Sequence, residues 1–469
     1  MGNEAWKQDL AEFKAVTEKF YNKEVSAKDY KGFSGGFGSY AQRGAEASML
    51  RLRLSGGRMT KEQLKFIGDS IEKHQISQVH FTTCQTVQLH NLKGEAVCEI
   101  MEEALDFGIN TRGGGGDFPR NVMVSPLSGV EQGEWFDVLP YALKAAEYLM
   151  GFIKTVKLPR KLKVCFSNSP ANRPHSTFRD LGFAAREDGL FDVYSAGGLG
   201  ANPKMGVLVA EAVEPEDILY YIKAMVNTFT AYGDYENRAK ARTRYMQDKL
   251  GKEEYVKAYQ EKLKEVMDQE KDGLKLKKEE LFALHLEEKE KLASEILGQL
   301  TEEEKAALHC RRVTAQKQEG LFAVEFHPIA GSPDPSLFKM LYETVKDMDQ
   351  VEMRLDPEEA MYVINLTAKE ALQVLEVLKD SAENLFETSV ACIGASICQV
   401  GVRDSQNLMK SIVEEVRKHS FKDGILPKIH ISGCPSSCGT HQVGTLGFRI
   451  VINGLTVRFV DSLLVESRN

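Results

Sequence analysis

Residues 49–59 read MLRLRLSGGRM. Leu50, Leu52 and Leu54 alternate with Arg51 and Arg53, the period-two pattern of a strand with one apolar and one cationic face. A helical stretch, KEQLKFIGDSIEKH at 61–74, follows it, and then a second alternating run, VHFTTCQTVQLHNL at 79–92. Read as one unbroken strand, that run places Cys84, Thr86, Gln88 and His90 on one face and Val87 and Leu89 on the other. The helix GEAVCEIMEEAL at 94–105 completes a strand–helix–strand–helix unit. Upstream, residues 1–30 read as a polar helix with Phe13, Val16 and Phe20 in one stripe, joined to the strand through the glycine-rich turn GFSGGFGSY.

The unit recurs. LFAVEFHPIAG at 321–331, SLFKMLYETVKD, AMYVINL and KEALQVLEVLKD keep the same order and similar spacing, which predicts an internal duplication. Arg51 and Arg53 fall roughly opposite Ala323 and Glu325, so an anion site on the cationic face is expected in the first copy alone. Between the copies, GGGGDFPRNVMVSP, LPRKLKVCFSNSP and DVYSAGGLGANPKMGVLVAE alternate strands with helices and read as α/β. A charge-dense stretch at 238–318 closes that region and reads as exposed helices. Four of the eight cysteines lie in the last section, 386–469. The pattern predicts a split domain (1–115 plus 319–385), an inserted α/β domain (116–318) and a small C-terminal domain (386–469).

Lys and Arg number 60 against 68 Asp and Glu, a formal charge of −8, which argues against a nucleic-acid binder but not against a local anion pocket. No stretch approaches the ~18 uncharged apolar residues of a membrane helix, so no membrane insertion is expected. The start, MGNEAWKQDLAEFKAV, has no apolar signal region. A cytoplasmic, reducing location is expected, with the cysteines as thiols or metal ligands.

Cys392 and Cys398 form C-x5-C in ACIGASICQVG; Cys434 and Cys438 form C-x3-C in ISGCPSSCGTH, with 35 residues between the pairs. Paired thiolates on glycine-rich loops suit a tetrahedral metal or a cubane cluster. Pro435 can occupy the first turn of a helix and bring free N–H groups to the thiolates. Structural zinc is the alternative, but its usual C-x2–4-C spacing fits one pair and not the other; a third is that the cysteines are unrelated core residues. Cys98, Cys165 and Cys310 stand alone and are expected to be small buried hydrophobes.

C-x5-C followed by GCPSSC resembles the cluster-binding signature of the sirohaem-dependent nitrite/sulfite reductase family. MLRLRLSGG, TT-x-Q-x-x-Q-x-H, RNVMVSP and LPRKLK each resemble a family block, in the family's order, over about residues 30–450. The resemblance implies an α+β fold with duplicated ferredoxin-like half-domains, the α/β insert, and a C-terminal domain that binds sirohaem and a [4Fe–4S] cluster. Carried over, Cys392, Cys398, Cys434 and Cys438 ligate the cluster, and Cys438 also bridges to the haem iron. Arg51, Arg120, Lys161 and Lys163 match the residues that hold the substrate anion, while Tyr40, Gln42, Gln85, Gln88, Arg120 and Asn121 lie in segments that wrap the tetrapyrrole. Gly197–Gly200 is expected as a loop near the haem edge.

The implied reaction is the six-electron reduction of sulfite to sulfide, because the RKLK segment has Lys163 where plant-type nitrite reductases have Asn. Nitrite reduction to ammonia is the alternative, and an electron-transfer protein without turnover is a third reading. No flavin or nicotinamide domain is recognisable, so a ferredoxin or a reductase subunit is the expected donor. Two departures stand out. The family's TTRQ block has Cys84 in place of its Arg, which removes one contact to a tetrapyrrole carboxylate. The chain also ends about 30 residues after Cys438, earlier than is usual in the family, from which incomplete cover and an oxygen-sensitive cluster are expected.

Overall fold

The computed structural model describes residues 3–281, 286–451 and 454–459. Helices α1 (Asn3–Tyr21) and α2 (Ala27–Ser34) lead into β1 (Ser39–Ala41) and β2 (Ser48–Arg53). Then come β3 (Arg58–Met59), α3 (Lys61–Lys73), β4 (Gln78–Phe81), β5 (Thr86–Leu92) and α4 (Gly94–Asp106). The first sheet has the order β1-β2-β5-β4. The run at 79–92 is therefore not one strand: Thr82 accepts a backbone bond from Gln85, whose φ is +54°, and the chain reverses into a hairpin. Thr86, Gln88 and His90 keep their alternation on β5, and Cys84 sits in the turn.

The insert contributes β6 (Met123–Val124), α5 (Leu139–Gly151), β7 (Val164–Ser167), β8 (Leu181–Ala185), β9 (Phe191–Ser195) and β10 (Val207–Val213), in the sheet order β10-β9-β8-β7-β6. Helices α6 (Ile218–Tyr232), α7 (Met246–Leu250) and α8 (Lys252–Glu270) follow. The charged α8 is anchored by Tyr255 and Tyr259, both fully buried. Helices α9 (Glu287–Gly298) and α10 (Glu302–Leu308) lead to β11 (Val313–Ala315). Where the sequence reading carried the insert to residue 318, Leu300 and Leu308 pack into the core of the ferredoxin-like halves and β11 pairs with the next strand.

The second half runs β12 (Leu321–Phe326), α11 (Leu337–Val345), β13 (Glu352–Leu355), β14 (Met361–Thr367) and α12 (Ala368–Val377). Its sheet order, β11-β12-β14-β13-β3, repeats the first and borrows β3 from it. The fold is α+β with duplicated ferredoxin-like half-domains. Leu50, Leu52, Val87 and Leu89 share one core with Val324, Phe326, Val363 and Leu366, each worth about 1.5–3 kcal/mol when buried. Capping boxes at Thr60–Gln63 and Thr367–Glu370 start α3 and α12.

The duplication corrects the sequence match. Arg51 pairs across with Gln88, and Gln88 with His80; Glu325 pairs with Tyr362, and Tyr362 with Arg354. The left-handed turn residues Gly56 and Ala330 also correspond. Arg51 and Arg53 therefore stand opposite Glu325 and His327, not Ala323 and Glu325.

The last section holds β15 (Val390–Ala391), α13 (Ser405–Arg417), β16 (Ile429–Ser432), β17 (Leu446–Val451) and β18 (Gly454–Phe459), in the sheet order β15-β16-β17-β18. Strands β17 and β18 pair antiparallel, and residues 460–469 lie outside the described residues. Cys165 is buried as expected; Cys98 is half-buried, and Cys310 is exposed rather than a core residue. Among the described residues, no helix is long and apolar enough to cross a membrane.

Candidate active site

The first half, the insert and the last section meet around a cavity of about 1300 Å³. Strands β2 and β5 present Arg51, Gln88 and His90 to it. The GGGG loop presents Arg120 and Asn121, and the segment entering β7 presents Lys161 and Lys163. Leu162 and Val164 turn inward, 0% and 1% exposed, so the alternation read from RKLKV holds. Cys392, Cys398, Cys434 and Cys438 line the same cavity. Gly198 and Leu199 also reach it, where the sequence expected a loop at a cofactor edge.

Backbone carbonyls set the arginines. Arg120 Nη1 and Nη2 donate to the carbonyls of Gly114 and Gly116 at 2.8 and 3.1 Å, and Arg51 Nη1 donates to the same Gly114 carbonyl. With its amide oriented to accept, Gln88 Oε1 receives the Arg51 guanidinium. Desolvation and the Arg51 charge lower the pKa of Arg120 to about 10. Burial and the charges of Arg242, Arg120 and Lys163 hold Lys161 well below the usual lysine range. Asp180 is the counter-charge: its carboxylate accepts from the Lys163 backbone N–H at 2.8 Å and from Arg242 at 3.0 Å.

Three predicted contacts fall elsewhere. Gln85 is fully buried and is not in the cavity wall. Its carboxamide accepts from the Val124 N–H at 2.8 Å and donates to the carbonyls of Val124 and Leu355, because the left-handed hairpin turn aims it at backbone that would otherwise be unpaired. Gln42 lies at the rim, but its carboxamide pairs with Asn91 through Nε2 to Oδ1 at 2.8 Å and Oε1 from the Asn91 N–H at 2.8 Å. No helix follows Pro435: residues 433–440 form turns, with Ser437 and Thr440 at φ +57° and +51°. The donor expected from a helix end is instead the Gly433 N–H, 3.2 Å from Cys392 Sγ. Tyr40 and Asn121 do line the cavity. Tyr40 Oη accepts from the Gly116 N–H at 2.8 Å, and Asn121 Nδ2 donates to the carbonyls of Cys84 and Gln85 at 3.1 and 3.0 Å.

Sequence reasoning missed Arg179 and Arg242, which stand in no recognised block and are brought in by the insert fold, and the buried pair His80 and Glu359. The pair joins the two halves. Desolvation lowers His80 to about 3 and pushes Glu359 well up.

The residues fit a large polyanionic group with a cluster beside it. Buried polar atoms on the wall lack protein partners: both ring nitrogens of His90, Arg120 Nε, Asn121 Oδ1 and Arg242 Nε. The space is that of a sizeable organic ligand. Among the described residues, no three His, Cys, Asp or Glu side chains converge as a site for a single metal ion.

Residues 115–267 match the family model described as nitrite and sulphite reductase 4Fe-4S domain, and residues 40–107 match the nitrite/sulfite reductase ferredoxin-like half domain. The first match ends before the four cysteines. The chain is 27% identical over 415 residues to the chloroplastic ferredoxin–nitrite reductase of Betula pendula, covering 85% of this chain and 67% of that one. It is 24% identical over 420 residues to sulfite reductase [ferredoxin] 1 of Mycolicibacterium paratuberculosis, covering 86% and 70%. The fold matches the Mycobacterium tuberculosis NirA protein with a TM-score of 0.73 at 22% identity, over 94% of this chain and 83% of that one. The chain spans about two thirds of the length of its plant relatives. With cationic strand, thiol pairs and duplicated halves in one frame, the chain belongs to the sirohaem-dependent nitrite/sulfite reductase family, oxidoreductases that use sirohaem and a [4Fe–4S] cluster.

Proposed function

We propose that the chain reduces sulfite to sulfide with six electrons, using sirohaem and the cluster. The observation that carries this reading is one cavity with Arg51, Arg120, Lys161 and Lys163 on its wall and Cys392, Cys398, Cys434 and Cys438 at its edge. The four thiols would hold the cluster, with Cys438 shared with the haem. The bound groups supply the path by which electrons reach one substrate atom.

The chain's own residues do the rest. Arg51 and Arg120, fixed by the Gly114 carbonyl, present rigid forks to the oxyanion. Lys161, whose ammonium is destabilised by burial and then by its cationic neighbours, gives up a proton readily as oxygen departs. Gln88, His90, Asn121 and Tyr40, which line the cavity, would hold the tetrapyrrole, and Gln42 and Gln85 hold backbone in place. Two lysines at 161 and 163 complement a dianion, which favours sulfite. The second reading, six-electron reduction of nitrite, is favoured by the name of the Betula relative.

A small redox protein of ferredoxin type is the proposed donor. The test is anaerobic turnover with reduced methyl viologen and each anion. A kcat/KM for sulfite at least tenfold above that for nitrite is expected; the reverse ratio rejects the assignment.

A further inference from the structure

Arg53 shares the cationic face of β2 with Arg51, yet its guanidinium is spent on backbone. The residue is 6% exposed; its Nη1 donates to the carbonyls of Arg112 and Pro119 at 2.7 and 3.2 Å, and its Nη2 donates to the carbonyl of Arg120 at 3.0 Å. Both ends of the loop 112–120 are thus tied to one planar fork. The middle of the same loop carries the carbonyls on which the other two arginines rest. Gly114 accepts from Arg51 and, at 2.8 Å, from Arg120, and Gly116 accepts from Arg120 at 3.1 Å. The glycine run is shaped to this closure: Gly113 has φ +69°, and a Cβ there would come within 2.7 Å of Arg53 Nη1. The outer side of the loop is held by other groups. The Gly113 N–H donates to the Gly36 carbonyl at 2.9 Å, the Gly116 N–H to Tyr40 Oη at 2.8 Å, and Asp117 accepts from Arg160 and Arg238 at 2.6 Å each.

We propose that Arg53 is a positioning residue: its fork closes the 112–120 loop and thereby sets the Gly114 and Gly116 carbonyls that aim Arg51 and Arg120 at the oxyanion. In this role Arg53 need not touch the anion. Hydrogen bonds from an ionised donor are about twice as strong as neutral ones, and a rigid fork fixes the direction of each bond where a lysine ammonium would not. Both forks rest on the Gly114 carbonyl, so a displaced loop moves them together. Misplacement by about 1 Å costs on the order of 10²-fold in rate.

The proposal rests on the oxyanion-reductase reading, and its test is separable from it. Holoenzyme is compared as wild type, Arg53→Met, Arg53→Lys, Arg120→Met and the double variants, with sulfite turnover normalised to bound sirohaem so that lost cofactor is not counted as lost positioning. Arg53→Met should lower kcat/KM by about 10–100-fold in the wild type, and by at least about fivefold less where Arg120 is already Met, because one of the two aimed groups is gone. Losses that simply multiply overturn the proposal. Arg53→Lys keeps the charge without holding both loop ends and should stay at least about fivefold below the wild type; full recovery means that charge alone matters and overturns the clamp. If Arg53→Met takes up no sirohaem, the same cycle is run with Arg53→Lys and judged in the same way. Amide hydrogen exchange of the 111–120 segment should quicken by at least about tenfold in both variants, and unchanged exchange overturns the proposal whatever the turnover. A wild type that reduces neither anion rejects the reductase reading, while the exchange still reports on the clamp.

Discussion

The two ferredoxin-like halves have the same strand order and put it to opposite use. In the first, Arg51, Gln88 and His80 stand side by side across β2, β5 and β4 and face an open cavity. In the second, Glu325, Tyr362 and Arg354 occupy the matching register and are paired internally. Tyr362 donates to Glu325 at 3.0 Å, Arg311 holds the same carboxylate at 2.7 Å, and Arg173 spans Asp356 and Tyr362. A duplicated scaffold thus yields one site and one closed interface. The difference arises from charge balance: the first half has cations whose counter-ions must come from outside, and the second has acids and bases in matched pairs.

The comparison breaks first at the thiols. Cys434→Ser should abolish cluster assembly, read as loss of iron and labile sulfide in anaerobically prepared protein; retained cluster would mean the cavity edge is not its seat. Next, Arg51→Met in the first half should lower kcat/KM by about 10²–10³-fold, whereas Arg311→Met, which removes the cation that holds Glu325 of the second half, should change it less than about twofold. Similar losses in both halves would erase the distinction.

Smaller effects should appear as stability. Arg173→Met strands Asp356, whose side chain is 0% exposed, and should cost about 3 kcal/mol in urea unfolding, near the low end for a broken buried pair because Arg173 is itself 36% exposed. The smallest effect concerns the seam between halves, where Glu352 of β13 accepts from Arg58 of β3 and from Arg354 at 2.6 Å. Burial would raise the Glu352 pKa, but Arg354 and Arg58 outweigh it and hold it below the ordinary value. Its contribution is therefore complete above the unfolded glutamate pKa of about 4.3 and is lost as the pH falls through the lower folded value. Glu352→Gln should lose about 1 kcal/mol near neutrality and flatten the acid limb of the stability profile; an unchanged acid limb would remove Glu352 from the seam.

The apolar halves of the strands were legible because their period is set by the pleat, as at Leu50, Leu52, Leu162 and Val164. The cations within quoted blocks were legible for the same reason. The hairpin at Thr82–Gln85 was not, since alternation continues on both sides of a turn made by a left-handed Gln85, a residue type with no turn signature. Arg179 and Arg242 were invisible because only the insert's fold carries them to Lys163. Gln42 and Gln85 were assigned outward by neighbourhood, whereas an amide close to unpaired backbone satisfies that backbone first.

The borrowed strand β3 bears on how the molecule is made. Met59 and Arg58 find their partners at Met353 and Arg354, and the bond from Arg58 to Glu352 spans 294 positions. At about 5–20 residues per second of synthesis, the early segment waits roughly 15–60 s on the ribosome before its neighbour emerges. The first half must persist through that interval with a row of open backbone groups, so chaperone dependence during translation should track the β3 segment.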